Sequence, residues 1–141
     1  RGFELKEKLK EWLKDHGYLV EDMGAHALNP DDDYPDYAFA VAGKVAENPG
    51  EDRGILVCGS GAGMDIAANK VKGIRATVSW NRESAEHARS HDDVNIIALA
   101  ADWTTPEQAG EIVKAFLETK FSGEERHARR ISKITNAEHF A

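Results

Sequence analysis

Apolar side chains at intervals of three and four residues predict several amphipathic helices along the chain. Leu5, Leu9 and Leu13 share one face of the first helix with Trp12, and Gly17 is placed to end it. The same spacing predicts a second helix after the loop 29–37, with Tyr37, Val41 and Val45 on its inner face. Further helices are predicted over about 64–70, 83–91 and 106–120, and a short one from Glu125.

Short apolar segments lie between these helices and are typical of β-strands. Residues 54–58 form a continuous apolar run, as expected for a strand whose two faces are both buried. The other predicted strands cover 18–23, 73–79 and 95–100. Because strands alternate with helices throughout, the pattern favours a parallel sheet that is covered by helices on both sides.

The predicted fold class is therefore α/β, a three-layer, doubly wound (Rossmann-like) parallel sheet with helices on both faces. The whole chain, 1–141, is expected to form a single domain, since its length suits one compact unit. Such sheets bind ligands at the carboxyl ends of their strands, here near Cys58, Ser79 and Ala100. A doubly wound domain normally starts with a strand, whereas this chain opens in a helix, so we expect a first strand to be missing ahead of Arg1.

Composition and charge narrow the classes of function. The net charge of −7 argues against general nucleic-acid binding, and no apolar run approaches the ~20 residues of a membrane helix. A single cysteine cannot form an internal disulfide or a cysteine-rich zinc site, so a cytoplasmic protein without a metal is expected. Basic residues concentrate near the end of the chain, where they form either a solvated helix face or an anion site: Arg126, His127, Arg129, Arg130 and Lys133.

The only cysteine, Cys58, ends the apolar run 54–58 and is followed by glycines at every second position, Gly59, Gly61 and Gly63. Strand, glycine loop and helix in this order form either a tight structural turn or a cradle for an anion, because a helix N-terminus offers free N–H groups. The thiol is correspondingly either reactive or a small buried apolar group. An NTPase phosphate loop is excluded, because it requires Gly-Lys-Ser/Thr where this chain has Gly-Met-Asp.

The stretch around this loop, GILVCGSGAGMDIAANKVKGIRA, resembles the signature of the ribose-5-phosphate isomerase B family, which includes galactose-6-phosphate isomerase subunits. Four other segments resemble the family in the same order along the chain: RGFELKEKL, DYPDYA, ARSHDDVNIIAL and RHARRISKI. The resemblance covers nearly the whole chain. It implies an aldose–ketose isomerase that acts on a phosphorylated sugar, ribose 5-phosphate, through an enediol.

The resemblance assigns the proton transfer between C1 and C2 of the sugar to Cys58, which matches the base of the family's cysteine-type members. Met64 holds the place of a glutamate that other members use, and Ser60 matches a hydroxyl residue that hydrogen-bonds the thiol. Amides of the glycine loop would stabilise the enediolate oxygen, as preorganised donors do at a developing charge. The substrate contacts implied in this way are Tyr34, Gly59, Gly61, Ala62, Gly63 and Asp92.

Ring opening and phosphate binding are also implied by the resemblance. His91 matches the residue that opens the sugar ring, a step for which a histidine near neutral pH can both give and take a proton. Phosphate binding is implied for Arg126, His127 and Arg130, in a tail (124–141) that reaches the neighbouring subunit's site. A homodimer is therefore the expected functional unit, with a dimer of dimers as the larger alternative, and no cofactor is expected.

Three departures from the family pattern keep other functions open. An Asp-His pair ahead of the first helix is absent, Asp92 stands where asparagine is common, and Asp102 stands where many members have arginine. A carboxylate only accepts hydrogen bonds, so Asp92 cannot donate the bond that an asparagine would. The alternatives are a hexose-6-phosphate isomerase for allose or galactose phosphates, a non-catalytic sugar-phosphate-binding protein and a redox-sensing thiol.

Overall fold

Three parallel strands form the sheet at the centre of the computed structural model, which describes residues 2–140. They are β1 (Gly54–Cys58), β2 (Ala76–Val78) and β3 (Ile96–Ala100), in the order β1-β3-β2. Cys58 and Ala100 are paired in register at the carboxyl ends of β1 and β3. The bounds of β1 agree with the prediction, while β2 is shorter than the predicted 73–79.

Helices connect the strands and cover the sheet, and two of them begin at clear local signals. Asn81 and Ser84 form a capping box at the start of the fourth helix, as Thr105 and Gln108 do at the start of the fifth. The helices of residues 2–140 are α1 (Phe3–Asp15), α2 (Tyr34–Glu47), α3 (Ala62–Ala68), α4 (Arg82–Asp92), α5 (Pro106–Glu118) and α6 (Glu125–Ala137), followed by a 3₁₀ turn at Glu138–Phe140.

Alternate residues of the strands point to opposite faces of the sheet, which builds two separate apolar cores. Ile97 and Leu99 of β3 pack with buried side chains of α1, α4 and α5, among them Phe116. Ile96 and Ala98 of the same strand pack with α2 and α3 on the other face. This three-layer arrangement confirms the predicted fold class.

Gly17 ends α1, as the sequence predicted. Its φ of +83° is left-handed, and the N–H groups of Gly17 and Tyr18 donate to the carbonyls of Lys14 and Leu13. This pair of bonds is the Schellman motif, which satisfies carbonyl groups that a helix end otherwise leaves without a donor.

The predicted strand at 18–23 is wrong. A strand needs a neighbour for its N–H and C=O groups, and within residues 2–140 none lies beside this segment, because a groove of about 570 Å³ separates it from the open edge of β1. Ion pairs hold the segment instead, since Lys6 and Lys10 of α1 lie 2.9 and 2.7 Å from the Asp22 carboxylate. The further strand expected ahead of Arg1 falls outside the described residues.

Two helices differ in extent from the prediction. α3 begins at Ala62 instead of about residue 64, because Gly61 adopts the left-handed conformation (φ +79°) and caps the helix directly after the loop. α6 has 13 residues and is longer than predicted. Across residues 2–140, no helix is long and apolar enough to cross a membrane.

Candidate active site

The carboxyl ends of β1 and β3 form a topological switch point, called the crevice below, because the helices that follow these neighbouring strands lie on opposite faces of the sheet. α3 follows β1 and packs with α2, whereas α5 follows β3 and packs with α1 and α4. Such a reversal is the place where doubly wound sheets bind ligands. Backbone bonds join the two strand ends here, since the N–H groups of Ala101 and Asp102 donate to the carbonyls of Cys58 and Gly59.

Cys58 ends β1 at this crevice and is partly exposed. The backbone N–H of Gly61 donates a hydrogen bond to its Sγ atom at 3.1 Å. Gly61 is also the N-cap of α3, so the sulfur lies at the positive end of that helix dipole. Both contacts place positive charge density against the sulfur, as a cysteine that acts through its thiolate requires.

The loop between β1 and α3 presents backbone donors to the same crevice. Within residues 2–140, the N–H groups of Gly63 and Met64 have no acceptor, as is normal in the first turn of a helix. Ser60 Oγ accepts the N–H of Ala62 at 3.3 Å. The described residues include no hydrogen bond between Ser60 and the Cys58 thiol, so the contact implied by the family resemblance is not formed in this structure.

Tyr34 is the first residue of α2 and lies over the glycine loop. Its ring and hydroxyl occupy the space that a methyl group at Gly63 would need. A glycine is therefore required at position 63 for steric reasons, since any side chain would displace the phenol. Tyr34 is 43% exposed and forms an open wall of the crevice, and its contact with the substrate stays a prediction.

Two tryptophans follow the ends of β2 and β3 at the same edge of the sheet. Trp103 belongs to the turn whose amides bond the carbonyls of Cys58 and Gly59, and Trp80 comes shortly after β2. Their ring centroids are 5.9 Å apart, and both side chains are more than half exposed. The turn that carries Asp102 and Trp103 is thus attached to the thiol end of β1 by backbone bonds.

His91 lies at the opposite end of the sheet from Cys58. It belongs to the last turn of α4, which runs from the carboxyl ends of the strands back to their amino ends. The carbonyls of Asp92 and Asp93 accept hydrogen bonds from Arg75, just ahead of β2. The five-residue strands alone separate the two ends by roughly 13 Å, at about 3.3 Å per residue. One chain therefore does not bring His91 to its own thiol.

The tail helix α6 packs against α4 at His91. His127 is buried and stacks on His91, with ring centroids 4.3 Å apart and planes 15° from parallel. Arg126 and Arg130 are exposed on α6 and four residues apart. Arg126 Nη2 lies 3.6 Å from Glu124, and Arg130 has no ion pair within residues 2–140. These side chains form an open cationic surface.

Comparison with known proteins identifies the family. The sequence profile described as Ribose/Galactose Isomerase matches residues 1–134. The chain belongs to this family. The ribose-5-phosphate isomerase B of Mycobacterium tuberculosis is 39% identical over 137 residues, which are 97% of this chain and 84% of that protein.

Solved structures in the Ribose/Galactose Isomerase family match the fold closely. The ribose-5-phosphate isomerase B of Mycoplasma genitalium with bound ribulose 5-phosphate is 42% identical, with a TM-score of 0.93 over 97% of this chain and 90% of that one. The enzyme from Thermotoga maritima is 46% identical, with a TM-score of 0.90 over 96% and 91% of the two chains. The family predicted from the sequence is confirmed.

The predicted site residues of this family member fall into two clusters at opposite ends of the sheet. The thiol cluster, at the carboxyl ends of the strands, consists of Tyr34, Cys58, Gly59, Ser60, Gly61, Ala62 and Gly63. The basic cluster, at the amino ends, consists of His91, Asp92, Arg126, His127 and Arg130.

Sequence reasoning missed three residues that shape the basic cluster. Arg89 is 4% exposed and donates to Asp93 Oδ1 and to the carbonyl of Val94, which fixes the end of α4. Asp93 is the left-handed C-cap of α4, with φ of +48°. His87 contacts the ring of His91. The signal available in the sequence was the four-residue spacing of Arg89 from Asp93 and of His87 from His91. Residues at this spacing lie on one face of a helix.

Proposed function

We propose that this chain is an aldose–ketose isomerase that interconverts ribose 5-phosphate and ribulose 5-phosphate. The observation that carries the proposal is the thiol of Cys58, held at the N-terminus of α3 by the N–H of Gly61. Support also comes from the Mycoplasma genitalium relative, which is 42% identical and binds ribulose 5-phosphate.

In this proposal Cys58 is the base. The thiolate removes the proton from C2 of the open-chain aldose, the electron pair of that bond forms a C1=C2 double bond, and O1 becomes the oxyanion of an enediolate. The N–H groups of Gly63 and Met64 stabilise this oxyanion. The proton then returns from sulfur to C1, and transfer of the O2 hydroxyl proton to O1 completes the ketose.

Ring opening and phosphate binding are assigned to the basic cluster of a second copy of the chain. His91 and Cys58 of one chain lie at opposite ends of the sheet, so a complete site requires the clusters of two chains. We infer a homodimer whose tail, 124–141, supplies Arg126 and Arg130 to the phosphate in the neighbouring site. Their guanidinium groups suit the charge and the fork geometry of a phosphate.

Two further parts of the proposal concern the location of the protein in the cell and its assembly. A cytoplasmic location is supported by the use of a single cysteine, which must stay reduced to act as a base. The larger assembly, a dimer of dimers, stays a prediction that size-exclusion chromatography with light scattering would test.

The substrate is tested by a coupled assay with ribose 5-phosphate, allose 6-phosphate and galactose 6-phosphate. We expect the highest kcat/KM for ribose 5-phosphate, its loss in Cys58→Ala, and full activity in Glu11→Gln, a change on the exposed face of α1. A higher kcat/KM for a hexose phosphate would replace the proposed substrate. Binding of all three sugars without turnover would establish the non-catalytic alternative.

A further inference from the structure

Three imidazole rings form a row at the amino ends of the strands. His87 lies four residues before His91 on the same face of α4, and the two rings meet with centroids 4.0 Å apart and an interplanar angle of 61°. His127 of α6 stacks on His91 at 4.3 Å. His91 thus contacts two imidazoles at once, and His87 is the exposed outer member of the row.

The charges around His91 come from both helices that pack here. The titratable and charged groups that face this row, from α4 and from α6 with the residue before it, are His87, Asp92, Glu124, Arg126 and His127. Glu124 Oε2 lies 2.9 Å from His127 Nε2, at ion-pair distance but without the geometry of a hydrogen bond. Basic groups outnumber carboxylates around His91, and this balance disfavours a proton on its ring.

We propose that His87 is a positioning residue that holds the ring of His91 and opposes its protonation, which favours opening of the sugar ring. The inference rests on the proposed function, because it takes His91 as the ring-opening acid and base. Ring opening breaks the C1–O4 bond, gives a proton to O4 and removes the proton of the C1 hydroxyl. A neutral imidazole has one N–H donor and one bare nitrogen, so it can do both, whereas the charged ring cannot accept.

His87 acts on His91 by contact and by charge. The tilted ring contact at 4.0 Å restricts rotation of the His91 imidazole. A proton on His87 places a positive charge against His91 and opposes a second proton there. In agreement with this geometry, burial first, and then the charges of His87 and His127, lower the pKa of His91 below its ordinary value.

Two substitutions change the charge at position 87 in opposite senses. His87→Gln removes the charge and keeps a polar side chain, whereas His87→Lys makes the charge permanent. His87 is exposed, so both variants are expected to fold. His26→Gln is the matched control, because His26 is another exposed histidine and lies near Asp22 instead of His91. NMR titration of the imidazole signals gives the midpoint of His91, which His91→Gln assigns.

The expected result is a higher His91 midpoint in His87→Gln, a lower one in His87→Lys and no change in the control. The acid limb of kcat/KM for ribose 5-phosphate should move in the same order. An unchanged His91 midpoint in both variants overturns the inference, and so does a moved midpoint with an unmoved acid limb. Absence of isomerase activity in the wild type refutes the proposed function alone, because the NMR midpoint still decides whether His87 controls His91.

Discussion

Sγ of Cys58 accepts a hydrogen bond of 3.1 Å from the backbone N–H of Gly61. The bond forms because Gly61 is left-handed, with φ of +79°, and turns the chain from β1 directly into α3. A residue with a side chain would be strained in this conformation. The proposed base and the helix end that contacts it therefore form one local unit.

Replacement of the thiol tests this unit. Cys58→Ala should reduce exchange of the sugar C2 proton with solvent deuterium by about 10²–10⁴-fold, the usual contribution of a general base. The melting temperature should stay close to that of the wild type, since Cys58 is only partly buried. The substitution also removes the acceptor of the Gly61 N–H, but the glycine loop keeps its sequence, and exchange near the wild-type rate would remove Cys58 from the mechanism.

The close approach of Tyr34 to Gly63 gives a second prediction. Gly63→Ala should displace the phenol and lower kcat/KM by about 10²-fold, the effect of a misplacement of about 1 Å in an active site. Gly43→Ala is the matched control, because Gly43 also lies within a helix, α2, and a methyl group at this position meets nothing within 4 Å. That control should gain up to about 1 kcal/mol in free energy of unfolding and keep full activity.

A double variant separates the steric cause from a loss of loop flexibility. If the clash with Tyr34 destabilises Gly63→Ala, then adding Tyr34→Ala should restore the melting temperature without restoring kcat/KM. A Gly63→Ala protein with wild-type kinetics would show that Tyr34 does not form a wall of the site.

The fold was predictable where burial alone decides the structure. The run 54–58 is apolar because both faces of β1 are covered, and its bounds were predicted correctly. Segment 18–23 carries a similar apolar pattern, but it has no neighbouring strand within residues 2–140. Leu19 of this segment is fully exposed, so its apolar pattern predicted neither the burial nor the pairing correctly.

The local part of the site was predictable from the sequence, and so was the end of the sheet at which His91 lies. Cys58 and Gly61 are three residues apart, and their contact follows from a strand that enters a helix through glycine. The position of His91 at the other end of the sheet depends on the direction of α4, which the order strand, helix, strand already implies. The stack of His91 on His127 depends on how α6 packs against α4, which no local pattern specifies.

The Asp22 ion pairs predict how stability changes with pH. Burial would raise the pKa of the Asp22 carboxyl, but Lys10, the Gly24 N–H and Lys6 hold it well below its ordinary value. In the unfolded chain this carboxyl titrates near pH ~3.9. Because the folded pKa is the lower one, the carboxylate contributes stability that is present above about pH 4 and is lost as the pH falls further.

Asp22→Asn should therefore lower the free energy of unfolding at neutral pH by about 1–3 kcal/mol, the value of hydrogen bonds to charged groups. The difference from the wild type should shrink as the pH is lowered towards about 2, which urea unfolding at several pH values measures. Glu111→Gln, on the exposed face of α5, is the control and should show a small, constant difference. If the difference in free energy of unfolding between Asp22→Asn and the wild type did not depend on pH, the stabilising role assigned to the Asp22 carboxylate would be contradicted.

The two clusters make a prediction about mixed dimers. Cys58→Ala and Arg130→Ala damage opposite clusters, so a dimer with one chain of each type has one site with both lesions and one intact site. Refolded one-to-one mixtures should recover about a quarter of the wild-type rate, since half of randomly formed dimers are mixed and one of their two sites works.

The control pair is Arg130→Ala with His91→Ala. Both lesions lie in the basic cluster, so every site of that mixture is damaged and no activity should return. Recovery in the control mixture, or none in the first, would mean that the thiol and basic clusters of two chains do not form one site.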